Sequence, residues 1–217
     1  MLVSEIINLL VASELKPLSL SNIGGDLRDE QQEDNFRQIV SMINMAYSEL
    51  YEKFALLQKE YILKGIENNK TYILPGDFIY PVQAELRDGT PVSVNNERRV
   101  DIDGNDINLS LMFPEPFLCL VKGNDPNNQT DVSLVYCADP EPISKPHDNV
   151  NITRVFLPAL MSYVAYRAFL GIDGHMESTN NTYLMRYVSE CQKLRTDGLT
   201  ISDNLNSNVK LEERGWV

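Results

Sequence analysis

Apolar and polar positions alternate along this chain in two textures. From Phe36, the residues Ile39, Val40, Ile43, Tyr47, Leu50, Phe54 and Leu57 recur three and four apart, the spacing of one face of an α-helix. Leu184, Tyr187, Val188, Cys191 and Leu194 repeat it in a last helix expected from about Ser178 to Arg195. Between them Val155 to Ile172, VFLPALMSYVAYRAFLGI, is apolar on nearly every helical face and predicts a central helix that neighbours cover on all sides. Thr153 is its expected N-cap, and Gly171 or Gly174 can close it. A short first helix is expected with Ser4 as its cap, Glu5 in its first turn and Ile6, Ile7, Leu10 and Val11 on its apolar side, ending before Pro17. The acidic run Asp26 to Asp34 is read as the start of the long helix.

After Tyr61 the runs shorten. Glu60 to Ile66 and Lys70 to Leu74 predict strands flanking Asn68 and Asn69, a pair that tolerates the positive φ of a tight hairpin turn. Further strands are expected at Val82 to Leu86, Pro91 to Val94, Val100 to Ile102, Ile107 to Met112, Phe117 to Lys122 and Val132 to Tyr136. Asp88-Gly89, Asp103-Gly104-Asn105, Phe113-Pro114-Glu115-Pro116 and the loop Gly123 to Thr130 separate them. The expected fold class is α+β: a helical core of about four helices, a β-rich insertion between the second and third, and an extended C-terminal tail. Residues 1–60 and 151–197 form the core, 61–138 the insertion, 139–150 with three prolines the linker, and 198–217 the tail.

Composition narrows the function classes. With 217 residues, 43% hydrophobic, the chain can bury a core without staples. Cys119, Cys137 and Cys191 are odd in number and lack C-x-x-C pairing, so they are expected to be reduced and buried. A net charge of -12 works against a nucleic-acid binder that must neutralise phosphates. Such a protein can still line a passage through which DNA slides without sticking, although solubility is the simpler role of the charge. The opening MLVSEIINLLVAS has no basic start, so no signal peptide is expected. The apolar central stretch contains Arg167, which within a membrane span would cost about 2.5 to 3.5 kcal/mol, so a buried helix in a soluble protein is expected.

Candidate chemistry is sparse. Asp101, Asp103 and Asp106 around Gly104 alternate as cation ligands do, but Met112 stands where a calcium loop wants glutamate, and turn residues alone explain the stretch. His147 and His175 have no metal or catalytic spacing. Tyr47, Tyr51, Tyr163 and Tyr166 lack the interleaved basic residues of a base-stacking platform, so core or interface packing is expected. No catalytic, cofactor or metal residues are assigned. The only tryptophan, Trp216, lies in a tail that also spaces Ile201, Leu205, Val209 and Leu211, which a purely solvated tail would not need. Val209, Leu211, Arg214, Trp216 and Val217 are the candidate docking residues.

The order of parts carries a resemblance. A short helix precedes a long one with Ala46-Tyr47-Ser48-Glu49-Leu50; a strand end reads Thr71-Tyr72-Ile73-Leu74-Pro75-Gly76-Asp77; a β insertion precedes a helix with Leu157-Pro158-Ala159-Leu160 and Tyr163-Val164-Ala165-Tyr166-Arg167-Ala168. Over most of residues 1–197 this resembles the head-to-tail adaptor proteins of tailed bacteriophages, notably the short-tailed ones. The resemblance implies a virion neck component, assembled in the host cytoplasm, that forms a ring of commonly twelve copies beneath the portal. Its partners would be the portal ring, the next tail component and further copies of itself, with DNA passing through the lumen and no membrane involved. Two other readings compete: a binding module whose β insertion recognises a glycan or protein surface, and a metal-dependent enzyme at Asp101, Asp103 and Asp106.

Overall fold

The computed structural model describes residues 1–16, 30–87, 89–95, 109–123, 131–170 and 177–198. The chain divides into two compact units, Met1–Phe54 with Glu141–Val217, and Ala55–Pro140. The fold is α+β, with four α-helices and seven strands among the described residues. No helix among these residues is long and apolar enough to cross a membrane.

The first unit is helical. Helix α1 (Val3–Ala12) buries Val3, Ile6, Ile7 and Leu10 along one stripe. Ser4 lies inside the helix and is not its cap. Glu5 serves that end instead, its Oε2 accepting the Leu2 N–H at 3.0 Å. Backbone bonds from Val3 N to Asp148 O (3.0 Å) and from Val150 N to Met1 O (2.8 Å) tie the start of α1 to the returning chain. Helix α2 (Glu30–Phe54) buries Phe36, Ile39, Val40, Ile43, Tyr47, Leu50 and Phe54 as its spacing predicts. Leu57, expected on the same stripe, falls past the helix end, where Ala55 takes a φ of 48°.

A 3-10 turn (Arg154–Phe156) leads into α3 (Leu157–Leu170). The Thr153 side chain makes no cap bond; its carbonyl accepts Phe156 N–H at 3.0 Å. Pro158 sits in the first turn, where its missing N–H has no helical partner to lose. Ala159, Leu160, Val164, Ala165, Ala168 and Phe169 are buried, but the cover of α3 is incomplete: Leu170 at its end remains 47% exposed and Tyr163, Tyr166 and Arg167 are half-buried. Helix α4 (Glu177–Thr196) buries Tyr187, Cys191 and Leu194, whereas Val188, expected on that stripe, is 46% exposed. Aromatic contacts stitch the bundle, Phe54 edge-on to Phe156 at 5.1 Å and Phe169 stacked on Tyr183 at 5.3 Å. Tyr47 and Tyr51 pair with backbone, whereas the buried Ser162 hydroxyl of α3 has no hydrogen-bond partner among the described residues. Asn151 N–H donates to Tyr47 Oη at 3.1 Å, Tyr51 Oη donates to Asn151 O, and the two hydroxyls lie 3.1 Å apart.

The second unit holds the strands: β1 (Gln58–Leu63), β2 (Thr71–Ile73), β3 (Phe78–Leu86), β4 (Ser93–Val94), β5 (Ser110–Glu115), β6 (Leu118–Lys122) and β7 (Val132–Ala138). They form a sheet of order β1-β7-β3 and another of order β2-β6-β5-β4, in which only β4 and β5 run parallel. The expected hairpin between the strands flanking Asn68 and Asn69 does not form. Asn69 does take a positive φ of 60°, but β1 pairs with β7 and β2 with β6, so the two enter different sheets. Burial selects this pairing, because the register Leu63↔Val132 sets two fully buried side chains against each other. Strand β5 runs through Pro114, read in the sequence as a break, at a register shift between Met112 and Glu115, the kind of irregularity that accommodates proline in a sheet. Leu63, Ala84, Leu111, Cys119, Val121 and Leu134 fill the core. All three cysteines are buried and unbridged.

Candidate functional site

The expected docking residues Val209, Leu211, Arg214, Trp216 and Val217 lie outside the described residues, as do Asp101, Asp103, Asp106 and His175. His147 is exposed in a loop. Among the described residues no group of three His, Cys, Asp or Glu side chains converges as a metal site would need. What the structure offers instead are surfaces.

Helices α2, α3 and α4 present the first. Tyr163 of α3 meets Tyr166 edge-on at 6.1 Å and Tyr187 of α4 edge-on at 5.1 Å. Arg167, one helical turn beyond Tyr163, places Nη2 3.4 Å from the sulfur of Met45 on α2 and has no carboxylate partner among the described residues. Met45 and Leu170 are 44% and 47% exposed. Burial raises the Tyr163 pKa and the Glu49 carboxylate adds to it, with Arg167 opposing. The residue types are those enriched in protein–protein interface cores: tyrosine, methionine and arginine with few acidic groups.

This face continues into a polar cluster. Lys53 Nζ donates to Glu49 Oε1 at 3.5 Å and to Tyr187 Oη at 3.3 Å, and lies 4.8 Å from the Tyr187 ring centroid. Tyr187 donates to Glu49 Oε1 at 3.2 Å. Burial, with Cys191 and Glu49 beside it, raises the Tyr187 hydroxyl far above its ordinary value, and burial also raises the Cys191 thiol. A proton therefore stays on both at neutral pH, and the cluster acts as a strut between α2 and α4 rather than as a nucleophile. Lys53, Val188, Cys191 and Arg195 line a cleft of about 550 Å³ at this end.

The second surface is a cleft of about 610 Å³ lined by Met1, Glu5, Asn8, Leu9, Arg154 and Leu157. Leu9 is 43% exposed there, and the neighbouring Val155 is 51% exposed. In the strand unit, Ile73 on the edge strand β2 and Phe117 in the β5–β6 turn are exposed. Glu60, Glu85 and Asp131 line a shallow cleft, but Asp131 Oδ1 already accepts Gly65 N–H at 3.1 Å and Glu60 accepts the Ser133 hydroxyl at 2.6 Å.

The family model described as SU10 adaptor protein matches residues 1–204. The chain belongs to the SU10 adaptor protein family. No curated protein matches it. Membership makes it a structural adaptor of a phage, a virion component that contacts other virion components. For an SU10 adaptor, contact surfaces are the functional sites, and the matched range reaches every described residue of both units. The five docking candidates, numbered 209 to 217, lie past that range.

Sequence reading missed both helical surfaces. Arg167 entered only as a charge too costly for a membrane span. The signal present was its place within an otherwise apolar helix, one turn from Tyr163: a half-buried cation there, with no carboxylate partner among the described residues, marks the side of the helix that another protein can cover.

Proposed function

We propose that this SU10 adaptor builds the ring that joins the portal to the tail, most simply with twelve copies, and that DNA passes through its lumen without specific binding. The match of the SU10 adaptor family to residues 1–204 carries this reading. In it, the helical parts pack side by side around the ring and the strand-rich part meets the next tail component. Residues Val209, Leu211, Arg214, Trp216 and Val217 dock on the portal, with Trp216 as the aromatic anchor. The net charge of -12 supports a lumen that repels DNA enough to let it slide. The ring acts without catalysis, in the neck of the virion, after assembly in the host cytoplasm.

Native mass of the protein alone, and mixed with the portal ring of the same phage, tests this directly. The expected result is a complex holding a fixed number of copies. Deleting Leu211 to Val217, or Trp216→Ala, is expected to abolish that complex while leaving the melting temperature unchanged. A folded protein that never joins the portal would refute the reading, and a large drop in melting temperature on deletion would place the tail in the core instead.

A further inference from the structure

Exposed apolar side chains flank α3 on two sides, while Met185 and Val188 are exposed on α4. On one side Leu157 lines the cleft beside α1, with Leu9 at its rim. On the other stand Tyr163, Tyr166, Arg167 and Leu170, joined by Met45 of α2 through its contact with Arg167. Tyr166 follows Leu157 by nine residues, two and a half turns at 3.6 residues per turn, so the two side chains leave the helix in opposite directions. One side is concave and apolar; the other offers protruding leucine and methionine.

Charge distinguishes the sides as well. Arg167 lacks a carboxylate among the described residues, in a protein that carries an excess of twelve negative charges (31 acidic against 19 basic residues). The α1 cleft holds Glu5, an exposed side chain whose carboxylate takes the Leu2 N–H. Arg154 lines the same cleft, so complementarity rests on a Glu5–Arg167 pair rather than on the net charge of either side.

We propose that these two sides form one heterologous interface between copies of this chain: Leu170, Met45 and Tyr166 of one copy enter the α1 cleft of the next, and Arg167 pairs with that copy's Glu5. The proposal rests on the ring reading above. Unlike surfaces on different sides of one helix repeat head-to-tail, and such contacts close into a ring when the rotation allows. The edge contacts of Tyr163 with Tyr166 and Tyr187 hold the protruding side in place before binding, so little side-chain freedom is lost there.

Charge reversal tests the pairing in the full-length protein, read as the concentration of half-assembly by native mass with the portal ring present. Arg167→Glu and Glu5→Arg are each expected to raise it at least about tenfold, and the double variant to recover most of that loss. Glu5→Gln, which keeps an acceptor for Leu2 N–H, separates pairing from the start of α1 and is expected to weaken assembly without changing the melting temperature. If the reversals melt early, Leu9→Gln and Leu170→Gln, both exposed in the single chain, carry the test and are expected to weaken assembly likewise. A wild-type ring whose assembly ignores folded variants on both sides, or a double reversal no better than the singles, overturns the interface and leaves the ring reading standing. A wild-type chain that never associates removes both.

Discussion

Replacing Asn44 tests how the helical unit holds the chain that returns to it at Glu141. The Asn44 side chain grips Ile143 twice, donating through Nδ2 to Ile143 O and accepting Ile143 N–H on Oδ1, both at 2.8 Å and across 99 residues of sequence. Ile143 is 5% exposed, so in Asn44→Ala both backbone groups lose their partner where water enters poorly. An unpaired buried backbone group costs about 1–3 kcal/mol, and with the bonds only part-buried we take the lower half of that range for each. The expected loss is about 2–4 kcal/mol, a fall in melting temperature of roughly 4–16 °C for a chain of this size. Urea unfolding followed by far-ultraviolet circular dichroism at 222 nm measures it. Asn44→Asp is the comparator: a carboxylate still accepts Ile143 N–H but cannot donate to Ile143 O, so it is expected to lose stability at pH 7 and to regain part of it once protonated. A change in Asn44→Ala below about 0.5 kcal/mol, the scatter of ordinary surface substitutions, would refute the clamp.

Two further outcomes follow from the strand unit. Asp77 accepts Lys59 Nζ on Oδ2 at 2.6 Å and the Tyr136 hydroxyl on Oδ1 at 3.0 Å. Burial pushes its pKa up, but Lys59 and Tyr136 outweigh this and the net shift is downward. A lowered pKa contributes stability above the unfolded carboxylate value near pH 4, lost as pH falls through the folded value. Asp77→Asn is therefore expected to cost about 1 kcal/mol at pH 7 and progressively less below about pH 4, measured by thermal melting across pH; a penalty that persists unchanged at pH 2 would contradict the ion pair. Cys119 is fully buried and its thiol is pushed up to about 12, so at pH 8 it is expected to react with a thiol reagent only at the rate of unfolding. Rapid labelling of Cys119 in the native protein, read by peptide mass, would show that this core opens.

The local grammar of the fold was legible in the residues. A three-and-four spacing from Phe36 to Phe54 can bury one stripe only as a helix, and the structure buries that stripe. Alternation in Val132–Ala138 likewise reads as a strand with one covered face, and Val132, Leu134 and Tyr136 are buried as that pattern requires. Those patterns, with the order of the parts, were enough to point to an adaptor, because periodicity is a property of neighbours in sequence.

Partner choice was not legible, because it depends on which buried surfaces meet. Asn68 and Asn69 satisfied the local requirement for a hairpin, yet β1 found its partner at Val132–Ala138 because that register buries Leu63 against Val132. Ser4 was the better cap by residue type, and Glu5 took the role because pairing of Met1 to Val3 with Asp148 to Val150 set where α1 begins. Val188 fits the apolar stripe of α4 by spacing, but it lies on the flank beside Lys53 rather than over the core. The surfaces at Arg167 and Leu9 are likewise products of packing. A helix apolar on nearly every side says that it must be covered. Which side its own chain leaves for another protein is decided only when α1, α2 and α4 have taken their places, since side-chain exposure is a property of the folded neighbourhood and not of the residue.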